Sequence, residues 1–346
     1  MMTKTGIASW GFAAVAAAAL LATPAGAASW KDSPEVKALY EKAKAEGKVV
    51  IWGPQRNEVE WVGTAFPKEF PGIKVEWAGD NEAMTRAITE ARAGRHQVDV
   101  FWNSLTGMQQ FVSRDLVTPI NWSIFGVPAS NVALDGKMAY GSSIAYAIAY
   151  NTDLAKKEDV PTRWEQILDE KYKGKLTSSL FLLPRLLGAL SMKWGFEKSE
   201  DVARKLTTQQ NTLLTRSPRE SIITSGERVF AVGEIDLLVR VWMNSGLKVD
   251  YVIPEPVVIG NFGSSVMAKA PNPNAARLLA GYIASEEGRK ARREMTFADD
   301  YTSTGTGEIA KKIQSKQIEF VSDTPEEAAT RDKATQQLGP IIAGQK

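Results

Sequence analysis

The 346-residue sequence contains no cysteine and a single histidine, His96. The first absence excludes a disulfide framework, a thiolate nucleophile, an iron–sulfur cluster and cysteine-ligated zinc. The second excludes a histidine-rich metal site. It also leaves a Ser-His-Asp triad one possible base, which sits in a polar turn after Gly94-Arg95. Gly-x-Ser-x-Gly, Walker A and helix-opening Gly-x-Gly-x-x-Gly motifs are missing. Paired carboxylates remain available, because 40 Asp and Glu are spread along the chain, yet the sum of absences points away from catalysis. Excess charge of one sign is absent too. The 42 Lys and Arg leave a net +2, which offers no electrostatic case for nucleic acid or an anionic membrane surface. Beyond the N-terminus no apolar run reaches the ~20 residues that cross a bilayer.

The strongest compositional break is at the start. Lys4 supplies a positive charge, Ile7 to Leu21 is a short apolar core, and Ala25-Gly26-Ala27 fits a small-x-small cleavage site. Residues 1–27 therefore read as a secretory signal, too short in its apolar part for an anchor. With no cysteine to carry a lipid, the remainder is expected to be exported, soluble and periplasmic.

After that, strand and helix patterns alternate. Ser33-Pro34-Glu35 opens a helix that Gly47 ends, Lys48–Trp52 is a strand, and Asn57 caps a helix with Val59, Val62 and Phe66 inward. Ile73–Trp77 is a second strand, Asn81 caps another helix, and Val98–Trp102 is a third strand. This order predicts a mostly parallel sheet flanked by helices. Tyr140–Asn151 then reads as a long buried strand, with Ile144, Tyr146, Ile148 and Tyr150 on one face and small residues on the other. Val257–Met267 is a second stretch of the same kind. Helices and short strands fill the interval between them, so the two strands read as a hinge joining two lobes. The expected division is 28–148 with 258–346 for lobe one and 149–257 for lobe two, with a ligand cleft where they meet.

Several blocks, in this order, resemble the type II solute-binding proteins of bacterial ABC importers, the subgroup that includes ferric-iron binders. They are Lys48–Trp52 with Phe66–Val75, Val98–Trp102, and Ala149–Leu154 with Pro161, Trp164 and Tyr172–Lys175. Gly226-Glu227 and Lys269–Ala276 with Ala284–Gly288 follow. The resemblance implies a two-lobe α/β receptor that closes on a small-molecule ligand and delivers it to an inner-membrane ABC permease. It also implies a monomer without cofactor or catalytic activity; delivery to a chemoreceptor would use the same fold.

Candidate ligand residues lie at carboxyl ends of strands and first turns of helices. In lobe one these are Gln55, Arg56 and Asn57, then Asp80 and Asn81, then Trp102, Asn103 and Ser104, with Tyr146 on the hinge. In lobe two they are Ser178 and Ser179, where relatives place hydroxyls for an anion, with Ser217, Arg219 and Trp242. Each has a purely structural alternative: Asn57 as a cap, Tyr146 as core, Arg219 as a solvated charge. The iron-binding relatives use neighbouring tyrosines late in lobe two, whereas Glu234–Trp242 has none. Trp cannot supply the hard oxygen donor that favours Fe(III). The expectation is therefore a small organic anion such as a carboxylate or phosphonate, with ferric iron or a polyamine as the alternative.

Overall fold

A computed structural model describes residues 29–80, 82–296, 298, 300–301, 305, 307–322 and 324–344. The signal segment 1–27 and Asn81 lie outside the described residues.

Among the described residues twelve strands run in chain order: β1 Lys48–Gly53, β2 Lys74–Gly79, β3 Val100–Ser104, β4 Val117–Thr118, β5 Val132–Ala133 and β6 Met138–Asn151. Then come β7 Leu176–Ser179, β8 Leu213–Thr215, β9 Phe230–Ile235, β10 Val249–Val252, β11 Val257–Met267 and β12 Phe320–Ser322. Their spatial order is β2-β1-β3-β11-β6-β9-β7-β8. The three strands at each end are mutually parallel, β1 with β2 and β3, and β7 with β8 and β9. In the middle, β3, β11, β6 and β9 pair antiparallel. The sheet is thus mixed rather than mostly parallel: each lobe winds parallel, and the strands that carry the chain between lobes run against it.

The hinge follows from the length of β6. Its first half, Ala139–Ala145, pairs with β11, and its second half, Tyr146–Tyr150, pairs with β9. All fourteen residues are buried, which an apolar, small-residue strand tolerates because both faces are covered. Ile144, Tyr146, Ile148 and Tyr150 enter one apolar cluster, while Ala145 and Ala149 face two others, as period-two alternation requires.

Lobe one closes around Val49, Ile51, Phe66, Phe70, Trp102, Leu278 and Tyr282. The buried Asp99 carboxylate stitches this lobe by accepting from Val50 N, Asn272 N and Asn272 Nδ2. Helix Pro273–Ala284 lacks a capping side chain of its own, and Glu46 caps it from a distance by accepting from Asn274 N and Ala275 N.

The C-terminus departs from the expected division. Helix Ala328–Ile342 does not return to lobe one; Leu338 and Ile342 join Leu186, Leu187 and Leu190 in the lobe-two cluster. Contact is so close at Gly188 that a Cβ there would lie 2.3 Å from Thr335 Oγ1. The segment leading into this helix is tied to the hinge and to lobe one: β12 pairs with β11, and Gln109 Nε2 donates to Pro325 O.

Candidate ligand cleft between the lobes

A cavity of about 370 Å³ opens where the two lobes face each other. Lobe one contributes Gln55, Glu58, Asn103 and Ser104, and the hinge contributes Tyr146 and Phe262. Lobe two contributes Leu182, Arg185 and Ile235. Arg331, Asp332 and Thr335 of the C-terminal helix complete the wall. The position follows from topology: Gln55 ends the β1 turn, Asn103 and Ser104 close β3, and Ile235 ends β9. Ligands of open α/β sheets bind at such strand ends.

Four of the residues expected from sequence are gathered here: Gln55, Asn103, Ser104 and Tyr146. Ser104 also caps helix Leu105–Val112, its Oγ accepting from Gly107 N. The Asn103 side chain is fixed by Ser104 N, which donates to Oδ1, and by Met84 Sδ near Nδ2. Gly107 is needed for this fit, since a Cβ there would fall 2.5 Å from Asn103 Nδ2.

The other expected residues serve local structure. Arg56 pairs with Glu60 and stacks on Trp77, so it is engaged on its own exposed turn. Asn57 does not cap its helix, which begins after Gln55, and lines a separate groove beside Trp77 and Met295. Asp80 pairs with Arg86 and accepts from Glu82 N, and these contacts hold its carboxyl below the usual range. Trp102 is no cleft wall: it is buried, stacked on Phe262, with the Arg292 guanidinium 4.4 Å from its ring centre. Ser178 donates to Val232 O inside the sheet. Ser179 Oγ accepts from Phe181 N and Leu182 N, which starts helix Leu182–Trp194. Ser217 lies in an exposed loop, and Trp242 packs against Ile223, Ala231 and Val249. Arg219 forms a two-pronged pair with the fully buried Glu234, at 2.5 and 3.0 Å. It reads as the counter-ion of a core carboxylate.

Sequence reasoning missed Glu58, Arg185, Arg331 and Asp332. Arg185 carried a signal, as the one charge inside Leu182-Leu183-Pro184-Arg185-Leu186-Leu187. It is exposed. The C-terminal pair carried none, because nothing local places that helix across the cleft. Among the described residues no three of His, Cys, Asp and Glu converge as metal ligands; the cleft's strongest oxygen donors are Glu58, Tyr146 and Asp332.

Residues 61–298, more than half of the chain, match the sequence profile of the bacterial extracellular solute-binding proteins. The chain belongs to that family. No curated protein matches it in sequence. In three dimensions it is similar to iron-bound HitA of Pseudomonas aeruginosa, with 15% identity and a TM-score of 0.70 over 85% of this chain and 99% of that one. Ferric iron-binding protein A of Mannheimia haemolytica, in an open conformation, gives 16% and 0.67 over 86% and 98%. The substrate-binding protein of an Agrobacterium tumefaciens ABC transporter gives 14% and 0.70 over 85% and 94%. This solute-binding protein thus has the two-lobe α/β fold of these neighbours, and its family is one of binding proteins rather than enzymes. Among the described residues no helix is long and apolar enough to cross a membrane.

Proposed function

We propose that this solute-binding protein captures a small organic anion between its lobes and hands it to an ABC permease. Arg185 carries the reading. It lines the cleft, it stands alone among apolar neighbours in the chain, and among the described residues no ion pair or hydrogen bond engages its side chain. A guanidinium so placed meets a carboxylate or phosphonate bidentately as the lobes close. Asn103, Ser104 and Gln55 face it from lobe one with amide and hydroxyl groups that complete the contacts. In this reading the protein works as a periplasmic monomer after loss of residues 1–27. Its lobes are divided at the β6–β11 hinge, with the C-terminal helix counted in lobe two.

Ferric iron is the second reading, favoured by the likeness to iron-bound HitA and to ferric iron-binding protein A. Tyr146, Glu58 and Asp332 would be its oxygen donors.

Isothermal titration of the signal-free protein with organic acids, phosphonates and Fe(III) separates the two. Binding of an organic anion that weakens roughly 10–100-fold in Arg185→Gln is the expected result, since hydrogen bonds to charged groups contribute about 1.5–3 kcal/mol. Binding of ferric iron alone, unchanged in Arg185→Gln, overturns the anion reading.

A further inference from the structure

The lobe-one side of the cleft holds a carboxylate that the fold does not use. Glu58 Oε2 is out of solvent contact and has no hydrogen-bond partner among the described residues, while the residue lines the cleft. Its backbone is anchored, since Trp61 Nε1 donates to Glu58 O and the adjacent Val59 is buried in the lobe-one core. Behind it lies Arg292, whose Nη1 donates to Ser142 Oγ at 2.5 Å and whose Nε is unpartnered. The two are close enough to feel each other's charge, yet they form no ion pair within 4.0 Å. Buried polar groups are nearly always satisfied, so an acceptor left open on a binding wall points to a donor that arrives with the ligand. The cleft's other carboxylate, Asp332, already accepts from Gln336 Nε2.

We propose that Glu58 is a ligand-contacting residue whose carboxylate accepts a hydrogen bond from a hydroxyl or ammonium group of the solute. Resting on the organic-anion reading, this narrows the solute to an acid with a donor opposite its anionic group: a hydroxy acid or an amino acid. Arg185 takes the anion from lobe two, and Glu58 takes the donor from lobe one. Burial pushes the Glu58 carboxyl up to about 7, against the pull of Arg292. The remaining charges around it are Asp300, which acts on Arg292, Arg185, Arg331 and Asp332 on the cleft wall, and Arg56 with Glu60, which pair with each other.

The test is a titration of the full signal-free chain with succinate, malate and aspartate, which differ only in having no donor, a hydroxyl or an ammonium. Wild type is expected to bind malate or aspartate at least tenfold more tightly than succinate. Glu58→Met, of similar size and without the acceptor, is expected to reduce that preference below about threefold. Glu58→Gln is the second variant should Glu58→Met not fold, and it is expected to lose the preference for aspartate. Equal or tighter binding of succinate, or a preference that survives both variants, overturns the role of Glu58 and leaves the anion reading standing. If none of the three acids binds, the narrowing to a hydroxy acid or an amino acid fails, and putrescine, with donors and no anion, decides Glu58. Putrescine binding lost in the Glu58 variants supports the assignment; binding retained, or no binding at all, overturns it.

Discussion

Arg219, a binding-site candidate in the sequence, becomes a structural residue once its partner is known to be Glu234. The Glu234 carboxylate is completely buried, and both oxygens are met by Arg219. Removing one partner of a buried pair leaves an uncompensated charge, so Arg219→Ala is expected to destabilise by about 3–5 kcal/mol. Replacing both partners with Arg219→Met and Glu234→Leu is expected to recover much of that loss, as read by chemical denaturation. Glu58 gives the opposite case and a pH signature. Its folded carboxyl titrates near 7 and its ordinary value is 4.5, so between those values the folded chain holds a proton that the unfolded chain has lost. Stability from this group is therefore full below pH 4.5, falls as pH rises towards 7, and stays reduced above it. The expected loss is on the order of 3 kcal/mol, and Glu58→Gln is expected to flatten that slope in melts recorded from pH 4.5 to 8.

At the scale of elements, the C-terminal helix carries the least anticipated consequence. It joins the lobe-two core through Leu338 and Ile342 and faces the cleft through Arg331, Asp332 and Thr335. Gly188 permits the approach, because a side chain there meets Thr335 Oγ1 and, at 3.1 Å, the Thr335 backbone N. Gly188→Val is expected to cost about 1–3 kcal/mol by forcing the two helices apart. Gly188→Ala is expected to cost less, and part of that cost should vanish with Thr335→Ala, a coupling that a double-mutant cycle measures. The remote cap of helix Pro273–Ala284 has a similar logic. Glu46→Ala leaves Asn274 N and Ala275 N without acceptors, with an expected cost of about 0.5–2 kcal/mol in thermal unfolding.

At the scale of the whole molecule, β6 and β11 are the elements shared by both lobes, so they form the structural hinge across which closure would occur. Asp236 pins the back of that hinge: its Oδ1 accepts from Ala145 N, its Oδ2 from Tyr301 OH, and Arg240 Nη2 lies 3.3 Å away. A ligand held by both lobes binds only the folded chain and raises its apparent stability by about 2.7 kcal/mol at a hundred times the dissociation constant. A melting shift of that size with the cognate solute, much reduced in Arg185→Gln at the same concentration, is the expected whole-molecule readout.

The sequence by itself determined the order of strands and helices, the buried hinge strand and the two-lobe class. Each of these is written in local signals: alternation along Ile144–Tyr150, a cap at Ser33, glycines that end helices. It also pointed to part of the candidate cleft, because strand ends follow from strand order: Gln55, Asn103 and Ser104 come from that rule, and Tyr146 from its place within the hinge strand. Tertiary structure alone decided which polar residues face the cleft and which face each other. Arg219 and Arg185 are both arginines at the start of a lobe-two helix. One meets a buried carboxylate fifteen positions along the chain, and the other meets none in the described contacts. The position of the C-terminal helix was equally beyond sequence reading, since it depends on a glycine at 188 meeting a threonine at 335. Periodicity records which face of an element is apolar; it does not record which partner covers that face, and binding sites are made by the partners.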